Sequence, residues 1–235
     1  MTRIITSLSD ISESYDALFC DLWGCVHDGL APFAEAVTAL QAFRAKGGTV
    51  MLVTNAPRPH TPVRQQLDRL GVPNDAYDGI ATSGDSARAA MLRGAVGEKV
   101  YFIGQHHDQD FFTPLELIET PVTISQVPLE QAEGIVCCGP FDPLADPEEM
   151  RAQFLQAKTR GLKLLCANPD IVVDRGETRE WCAGALAKLY TQMGGESLYF
   201  GKPHPPIYDL ARRRLEALGK DIPDSRILCV GDGIL

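Results

Sequence analysis

Short apolar runs alternate with amphipathic stretches along this chain, and the apolar runs end in polar residues. Ala17 to Cys20 is such a run, and Asp21 follows it directly. Thr49 to Val53 is another, and it continues into Thr54 and Asn55. Buried strands separated by helical periods are typical of βαβ units and a parallel sheet. The pattern therefore predicts an α/β fold.

The stretches between these runs carry helical periodicity. Phe33 to Lys46 places its apolar side chains on one stripe and stops at Gly47, which predicts a helix. The stretch that ends at Leu70 has a second apolar face, and Thr61 before Pro62 predicts its N-cap and first turn. Strands and helices are thus expected to alternate regularly.

Three further apolar runs share this character, and each also ends in polar residues. They are Gly79 to Ala81 before Thr82, Leu198 to Phe200 before Gly201 and Lys202, and Ile227 to Val230 before Gly231 and Asp232. Ligands of open parallel sheets bind outside the carboxyl ends of the strands. We therefore expect these polar endings to converge at one edge of a single sheet.

Residues 86–195 form an alternating segment of their own, which predicts an α/β module inserted into the core. The expected organisation is a core over 1–85, a cap over 86–195 and a second core segment over 196–235. The predicted cap elements are strands at Val100 to Ile103, Gly134 to Cys138 and Leu162 to Ala167, and helices at Pro147 to Lys158 and Gly184 to Met193.

Composition narrows the class of protein. The 235 residues carry a net charge of -9, from 22 basic and 31 acidic residues, which argues against a nucleic-acid-binding surface. The seven cysteines form no CxxC pair, which favours reduced thiols and a cytoplasmic location. No signal peptide and no apolar run of roughly 18 residues is found, so no membrane segment is predicted.

The polar endings supply residue types suited to phosphate chemistry. A carboxylate at Asp21 is able to attack a phosphoryl group, or it caps a turn, and this segment alone leaves both interpretations open. Asp232 adds a second hard oxygen ligand of the kind that Mg²⁺ prefers. Lys202 offers a positive charge, and Thr54 and Asn55 offer hydroxyl and amide donors, for phosphate oxygens.

Four segments in this order, FCDLWGCV, VTNAPR, FGKPHP and CVGDG, resemble motifs I to IV of the haloacid dehalogenase-like (HAD) superfamily of phosphohydrolases. CANPD, ending at Asp170, and CAGALAKLY, ending at Tyr190, resemble cap segments of its class IIA. That class includes nucleotide, sugar-phosphate and pyridoxal-phosphate phosphatases. The resemblance covers residues 17–235 and implies a Rossmann-like parallel-sheet core with a large inserted α/β cap.

The resemblance also implies roles for single residues. Asp21 would be the nucleophile and a Mg²⁺ ligand, and the main-chain carbonyl of Trp23 and the carboxylate of Asp232 would complete the metal site. The implied function is a Mg²⁺-dependent phosphatase that acts on a small phosphorylated metabolite, a sugar phosphate or a nucleotide, through an aspartyl-phosphate intermediate. A homodimer formed through the cap is a further expectation.

The remaining implied roles concern the phosphoryl group and the leaving group. Thr54 and Asn55 would bind the phosphoryl group, and Lys202 would orient it and take part in catalysis. Asn168 and Asp170 would contact the substrate from the cap, because a polar turn follows the predicted strand there.

Two departures from the family pattern matter for function. Trp23 stands where the family has its acid-base Asp, and losing a positioned proton donor costs about 10² to 10⁴ in rate. We hypothesise that His27 or Asp28 substitutes, and the alternative is a weak pseudo-phosphatase that binds a phosphorylated ligand or partner. The family also continues beyond the GDG segment, whereas this sequence ends at Leu235, so we expect the C-terminal end of the core to be missing.

Two other motifs are given ordinary structural interpretations. His106, His107 and Asp108 lack a third spaced ligand and predict a polar loop in place of a metal site. Cys137 and Cys138 end an apolar run and predict buried thiols, because adjacent cysteines rarely bridge without strain.

Overall fold

The computed structural model describes residues 4–113 and 120–233, and it divides them into two compact units. Within these ranges, the first unit takes in 1–54, 61–81 and 209–235, and the second takes in 55–60 and 82–208. The chain alternates strands and helices, as the apolar pattern predicts. No helix among the described residues has the length and apolar character needed to cross a bilayer.

The strands are short. They are β1 (Ala17–Cys20), β2 (Thr49–Thr54), β3 (Gly79–Thr82), β4 (Lys99–Ile103), β5 (Ser125–Gln126), β6 (Gly134–Cys137), β7 (Lys163–Cys166), β8 (Val172–Arg175), β9 (Thr178–Trp181), β10 (Glu196–Tyr199) and β11 (Ile227–Val230). The α-helices are α1 (Ala34–Ala45), α2 (His60–Leu70), α3 (Ser83–Met91), α4 (Arg151–Thr159), α5 (Ala183–Gln192) and α6 (Pro205–Ala217).

The first unit is built on a four-stranded sheet with the order β11-β1-β2-β3. β1 pairs in parallel with both β11 and β2, so that Cys20 lies level with Val230 on one side and Leu52 on the other. All four residues of β1 are buried. A strand that is buried on both faces reads as a continuous apolar run, which explains why it is visible in the sequence.

The second unit is built on a five-stranded sheet with the order β10-β7-β6-β4-β5. Side chains alternate across β6, so Ile135 joins one apolar cluster and Val136 joins another. Phe154 of α4 and Tyr190 of α5 belong to the first cluster, and Met91 of α3 belongs to the second. Helices therefore cover both faces of this sheet, as an α/β layer architecture requires.

Most predicted elements are confirmed to within one or two residues at each end. The helix predicted from Phe33 to Lys46 is α1, and the predicted cap strands are β4, β6 and β7. The predicted N-cap at Thr61 is wrong, because α2 already begins at His60. The helix predicted from Pro147 opens with a 3₁₀ turn, whose N-cap Asp146 accepts the Glu148 N–H at 2.9 Å.

One strand was expected in the wrong sheet. β10 pairs with β7 in the second unit, with Leu198 level with Leu165, and it is not part of the sheet that contains β1. The prediction that Lys202 follows a strand of the first sheet is therefore wrong. An apolar run of three residues fits the edge of either sheet, and only tertiary packing selects the partner.

The same pairing extends the second unit beyond the predicted cap. Its main segment runs over 82–208, where the sequence predicts 86–195. The sequence also did not reveal the β8–β9 hairpin, which is short and largely exposed and so lacks an apolar signal.

Candidate functional site

Asp21 is held at the carboxyl end of β1. Its main-chain N–H donates to the Val230 carbonyl at 2.9 Å, which continues the pairing with β11 by one residue. Its Oδ1 atom accepts the Leu22 N–H at 2.7 Å, which orients the carboxylate within the turn after the strand. The residue is half-buried. The first unit thus presents this carboxylate at the edge where polar endings were expected.

Asp232 lies against the turn that follows β1. An alanine methyl at position 24 would overlap the Asp232 carboxylate, whose Cγ atom lies 2.7 Å from where that methyl would be. Gly24 also has φ +78°, a backbone conformation that favours glycine. Since β1 and β11 are paired in register, the two carboxylates Asp21 and Asp232 stand at the ends of neighbouring strands.

This arrangement fits a hard divalent cation. Gly24 provides the space that the Asp232 carboxylate occupies, and two carboxylates supply the oxygen ligands that Mg²⁺ takes. Among the described residues, no group of three His, Cys, Asp or Glu side chains is placed to hold a metal. A cation here would therefore take main-chain and water oxygens as well, which is the usual condition of Mg²⁺ sites.

The Trp23 indole packs on its own loop. Its ring meets the His27 ring edge-on, with centroids 5.3 Å apart at 74°. It also covers Gly29, where its Cζ2 atom lies 2.6 Å from where a side-chain Cβ would be. The position at which the family resemblance implies an acid-base Asp is therefore occupied by an aromatic packing residue, which has no carboxylate to exchange a proton.

His27 is buried beside this indole, with 3% of its surface exposed. Its Nδ1 atom accepts the Gly29 N–H at 3.0 Å, so the neutral ring carries its proton on Nε2. Burial lowers the pKa of His27, and the charges of Asp28 and Asp21 raise it in part. The structure brings His27 within electrostatic reach of Asp21.

Asp28 stabilises the loop instead. Its Oδ1 atom accepts the main-chain N–H groups of Leu30 and Ala31, both at 2.8 Å. These hydrogen bonds, that of Ala31 first, lower the pKa of Asp28 below its ordinary value. An exposed carboxylate that is held ionised in this way is a poor proton donor at neutral pH.

Thr54 ends β2 and is buried, and the second unit begins at the next residue, Asn55. β2 is paired with β1, so Thr54 is the last residue of one strand and Asp21 directly follows its neighbour in the first sheet. The four predicted site residues of the first unit are thus Asp21, Trp23, Thr54 and Asp232.

The second unit gathers the other predicted residues around Asn55, which is 6% exposed. The Oδ1 atom of Asn55 accepts the Lys202 N–H at 2.6 Å. Its Nδ2 atom donates to Oδ1 of Asp170 at 2.8 Å and to the Lys202 carbonyl at 3.1 Å. The structure therefore places Asn55, Asp170 and Lys202 together within the second unit, although 147 residues separate the first from the last.

Asn168 shapes the turn that carries Asp170. Its Oδ1 atom accepts the Asp170 N–H at 3.0 Å, which closes an Asx turn. Asn168 itself is 9% exposed. Its side chain thus acts on the local backbone after β7.

Gly201 allows these segments to approach one another. A Cβ there would lie 2.6 Å from Pro169 Cδ and 2.7 Å from Ser83 Oγ, and it would overlap the Asn55 side-chain oxygen. Ser83 Oγ is the one buried side-chain polar atom without a hydrogen-bond partner among the described residues. The cluster is therefore tightly packed, with a glycine required directly before Lys202.

Sequence reasoning missed the polar residues at the start of α3. The Thr82 side chain caps the helix by accepting the Asp85 N–H at 2.9 Å. Asp85 is buried and accepts hydrogen bonds from His60 Nδ1 at 2.8 Å and from Arg88 Nη1 at 3.3 Å. The signal was present in the sequence, because Thr followed three residues later by Asp is typical of a helix start.

The cysteine motif has the structural role that the sequence predicts, whereas the segment from His106 to Asp108 lies in a 3₁₀ turn where a polar loop was expected. Cys137 and Cys138 are buried as predicted, and burial raises the pKa of both thiols well above the ordinary value. Asp108 is buried and accepts the Gln105 N–H at 2.9 Å, which stabilises the 3₁₀ turn His106–Phe112.

Comparison with known proteins adds a family to this geometry. A family model described as haloacid dehalogenase-like hydrolase matches residues 18–117. Among curated protein sequences no match is found.

The comparison with solved structures includes a hydrolase of the haloacid dehalogenase-like family from Brucella suis 1330. It is 44% identical, covers 99% of this chain and 83% of its own length, and has a TM-score of 0.91. A protein from Cytophaga hutchinsonii, described as a possible sugar phosphatase, is 18% identical and has a TM-score of 0.77. The match covers 99% of this chain and 82% of that chain.

A glycerol phosphate phosphatase from Mycobacterium tuberculosis, solved with calcium, is also similar. It is 23% identical, with a TM-score of 0.66, and the match covers 95% of this chain and 62% of that one. These last two likenesses concern the fold, whereas the identity to the Brucella protein extends over almost the whole sequence. The present chain therefore belongs to the haloacid dehalogenase-like hydrolase family.

Proposed function

We propose that this protein is a Mg²⁺-dependent phosphatase of small phosphorylated metabolites that works through an aspartyl-phosphate on Asp21. The observation that carries the proposal is the pair of carboxylates, Asp21 and Asp232, which end neighbouring strands around Gly24. Family membership supports hydrolysis, and similar folds have been solved for a possible sugar phosphatase and for a glycerol phosphate phosphatase.

Asp21 and Asp232 would hold the cation, with the Trp23 carbonyl as a further oxygen ligand. When bound, Mg²⁺ supplies positive charge beside the substrate phosphate. The structure of the turn after β1 keeps the Asp21 carboxylate oriented through the Leu22 N–H. A fixed carboxylate loses little entropy when it reacts, which favours its use as a nucleophile.

The proposed reaction has two displacements. An oxygen of Asp21 attacks phosphorus, the ester P–O bond breaks, and the alcohol leaves. Water then attacks the aspartyl-phosphate, which releases inorganic phosphate and restores the carboxylate. By the family resemblance, Thr54 would donate a hydrogen bond to a phosphoryl oxygen, and Lys202 would neutralise negative charge on the phosphoryl group.

Proton transfer is the weak step of this scheme. The departing alkoxide must gain a proton and the attacking water must lose one. The Trp23 indole can act neither as the general acid nor as the general base in these steps. Asp28 is engaged by the loop, which leaves His27 as the better of the two hypothesised substitutes. We therefore propose that aryl phosphates, whose leaving groups need little protonation, are hydrolysed faster than alkyl phosphates.

A steady-state assay with Mg²⁺ and an aryl phosphate tests the proposal. Asp21→Asn should abolish turnover, because the amide is a far weaker nucleophile. Asp75→Asn is the matched control, since Asp75 is an exposed carboxylate of the same unit that is engaged only at the surface. Equal turnover in Asp21→Asn and wild type would contradict the proposal.

A pseudo-phosphatase is the second function to consider, and the packing of Trp23 on Gly29 and His27 is the observation that favours it. In that case the wild type binds inorganic phosphate without turnover, and Trp23→Asp gains activity. Phosphate binding measured by calorimetry, together with turnover of both proteins, separates the two functions.

A further inference from the structure

We infer that Asn55 is a positioning residue, which fixes the main chain of Lys202 and the carboxylate of Asp170 through its side-chain amide. This inference rests on the proposed function, since it gives Lys202 its task at the phosphate. It also differs from the role that the family resemblance implies for Asn55, in which the residue binds the phosphoryl group.

The hydrogen-bond capacity of the amide supports this role. An Asn side chain has two N–H donors on Nδ2. One is directed to Oδ1 of Asp170 at 2.8 Å, and the other to the Lys202 carbonyl at 3.1 Å. Both donors are therefore engaged within the second unit, and a substrate phosphate would have to displace one of them.

The contacts to Lys202 involve both of its main-chain groups. The Asn55 Oδ1 atom accepts the N–H at 2.6 Å while Nδ2 donates to the carbonyl. One side chain thus pairs with both main-chain groups of Lys202 as a neighbouring strand would, three residues after the end of β10. Because Asn55 is 6% exposed, little water competes for these hydrogen bonds.

The geometry requires an amide at this position. A carboxylate at position 55 would still accept the Lys202 N–H, but its second oxygen would face the Asp170 carboxylate and the Lys202 carbonyl, both of which are acceptors. A Gln side chain is one methylene too long for a site closed by Gly201 and Ser83. The amide therefore links the lysine to the polar turn after β7.

An exchange of amide and carboxylate distinguishes positioning from direct phosphate binding. Asn55→Asp should lower kcat/KM about 10- to 100-fold, because two carboxylates then oppose each other without a proton. Asp170→Asn should have a smaller effect, since two amides are able to pair. The double variant Asn55→Asp with Asp170→Asn restores a donor and an acceptor between the two side chains, and should recover part of the about 10- to 100-fold loss in kcat/KM.

A direct phosphate ligand would behave differently. A carboxylate at position 55 would then repel the phosphate in either background, so a folded double variant without recovery of kcat/KM overturns the inference. The exposed pair Gln41 and Asp75, joined by an Nε2 to Oδ1 hydrogen bond of 2.7 Å, is the matched control. Its exchange, Gln41→Glu with Asp75→Asn, should leave kcat/KM unchanged.

Thermal unfolding provides a readout that needs no turnover. Asn55→Asp should lower Tm, and the double variant should regain part of that loss, because the contact is present without substrate. Additive Tm changes would overturn the inference even if the protein is an active phosphatase. Conversely, coupled Tm values in a protein without Asp21-dependent turnover would support the contact and refute the proposed function alone.

Discussion

Gly24→Ala tests whether the placement of Asp232 against the β1 turn matters for metal binding. The new methyl would meet the Asp232 Cγ atom at 2.7 Å, whereas ordinary contact begins at 3.4 Å. The Cγ atom must therefore move by at least about 0.7 Å, which is 3.4 minus 2.7 Å, and the Oδ2 atom, which lies closer to the methyl than Cγ, must move farther. Mg²⁺ requires near-ideal octahedral distances of about 2.0–2.1 Å, so a shift of this size disturbs its coordination.

The backbone cost of the same change is separable. An L-residue with φ +78° costs about 1–2 kcal/mol, and this cost has nothing to do with Asp232. Gly71 has φ +84° and nothing within 4 Å of where a Cβ would be, so Gly71→Ala carries the same strain without the contact. The two variants should lose similar stability, because the Asp232 side chain is able to rotate away at the protein surface.

The assay is the Mg²⁺ concentration that gives half-maximal turnover, together with direct Mg²⁺ titration by calorimetry. Gly24→Ala should raise this concentration about 10- to 100-fold, which is the loss of metal affinity expected when a ligand is no longer held in position. Gly71→Ala should leave it at the wild-type value. Identical Mg²⁺ dependence in the two variants would refute the reasoning, since the only designed difference between them is the overlap with Asp232.

Three further predictions concern Gly201, the cysteines and His27. Gly201→Ala should lower kcat/KM about 10²-fold by displacing Lys202. Gly139→Ala is the control, because a Cβ at that position would have no atom within 4 Å, and it should leave kcat/KM unchanged. Equal effects of the two substitutions would contradict the packing described around Gly201. Cys229 is exposed and should react with a thiol reagent in the native protein, whereas Cys137 is fully buried and should react only after unfolding, as peptide mass spectrometry would show. Burial lowers the pKa of His27 below 6.5, so the unfolded state binds the proton better and stability falls as pH drops through that value. Urea unfolding of His27→Gln should therefore show a smaller loss between about pH 7 and pH 5, and an unchanged loss would contradict this.

The sequence predicts the first sheet well because its signals are strong. β1 and β2 are buried along their whole length, so each appears as an unbroken apolar run. α1 has an apolar stripe and a glycine stop, and its predicted ends lie within one residue of the observed ones. Asp21 could be placed at the end of a strand for the same reason, and Asp232 was placed from the apolar run Ile227 to Val230, although β11 is only partly buried.

The second unit was harder to predict because its decisive contacts are distant in sequence. β10 is only half-buried, and nothing within the run shows that its partner is β7. The amide of Asn55 could be recognised as a polar group near a strand end, but its partners lie 115 and 147 residues away. Composition and spacing identify such residues, while only the fold shows what each one contacts.

The pairing of β10 with β7 has a practical consequence for exchanging parts between relatives. A chimaera cut at residue 195 would take β7 from one parent and β10 from the other, so this pairing would have to form between strands of different origin. A cut after residue 208 keeps β7 and β10 from the same parent. Lys202, Asn168 and Asp170 then also come from that parent. Recombination at that point would transfer the lysine and the polar turn together, and a recipient would receive both or neither.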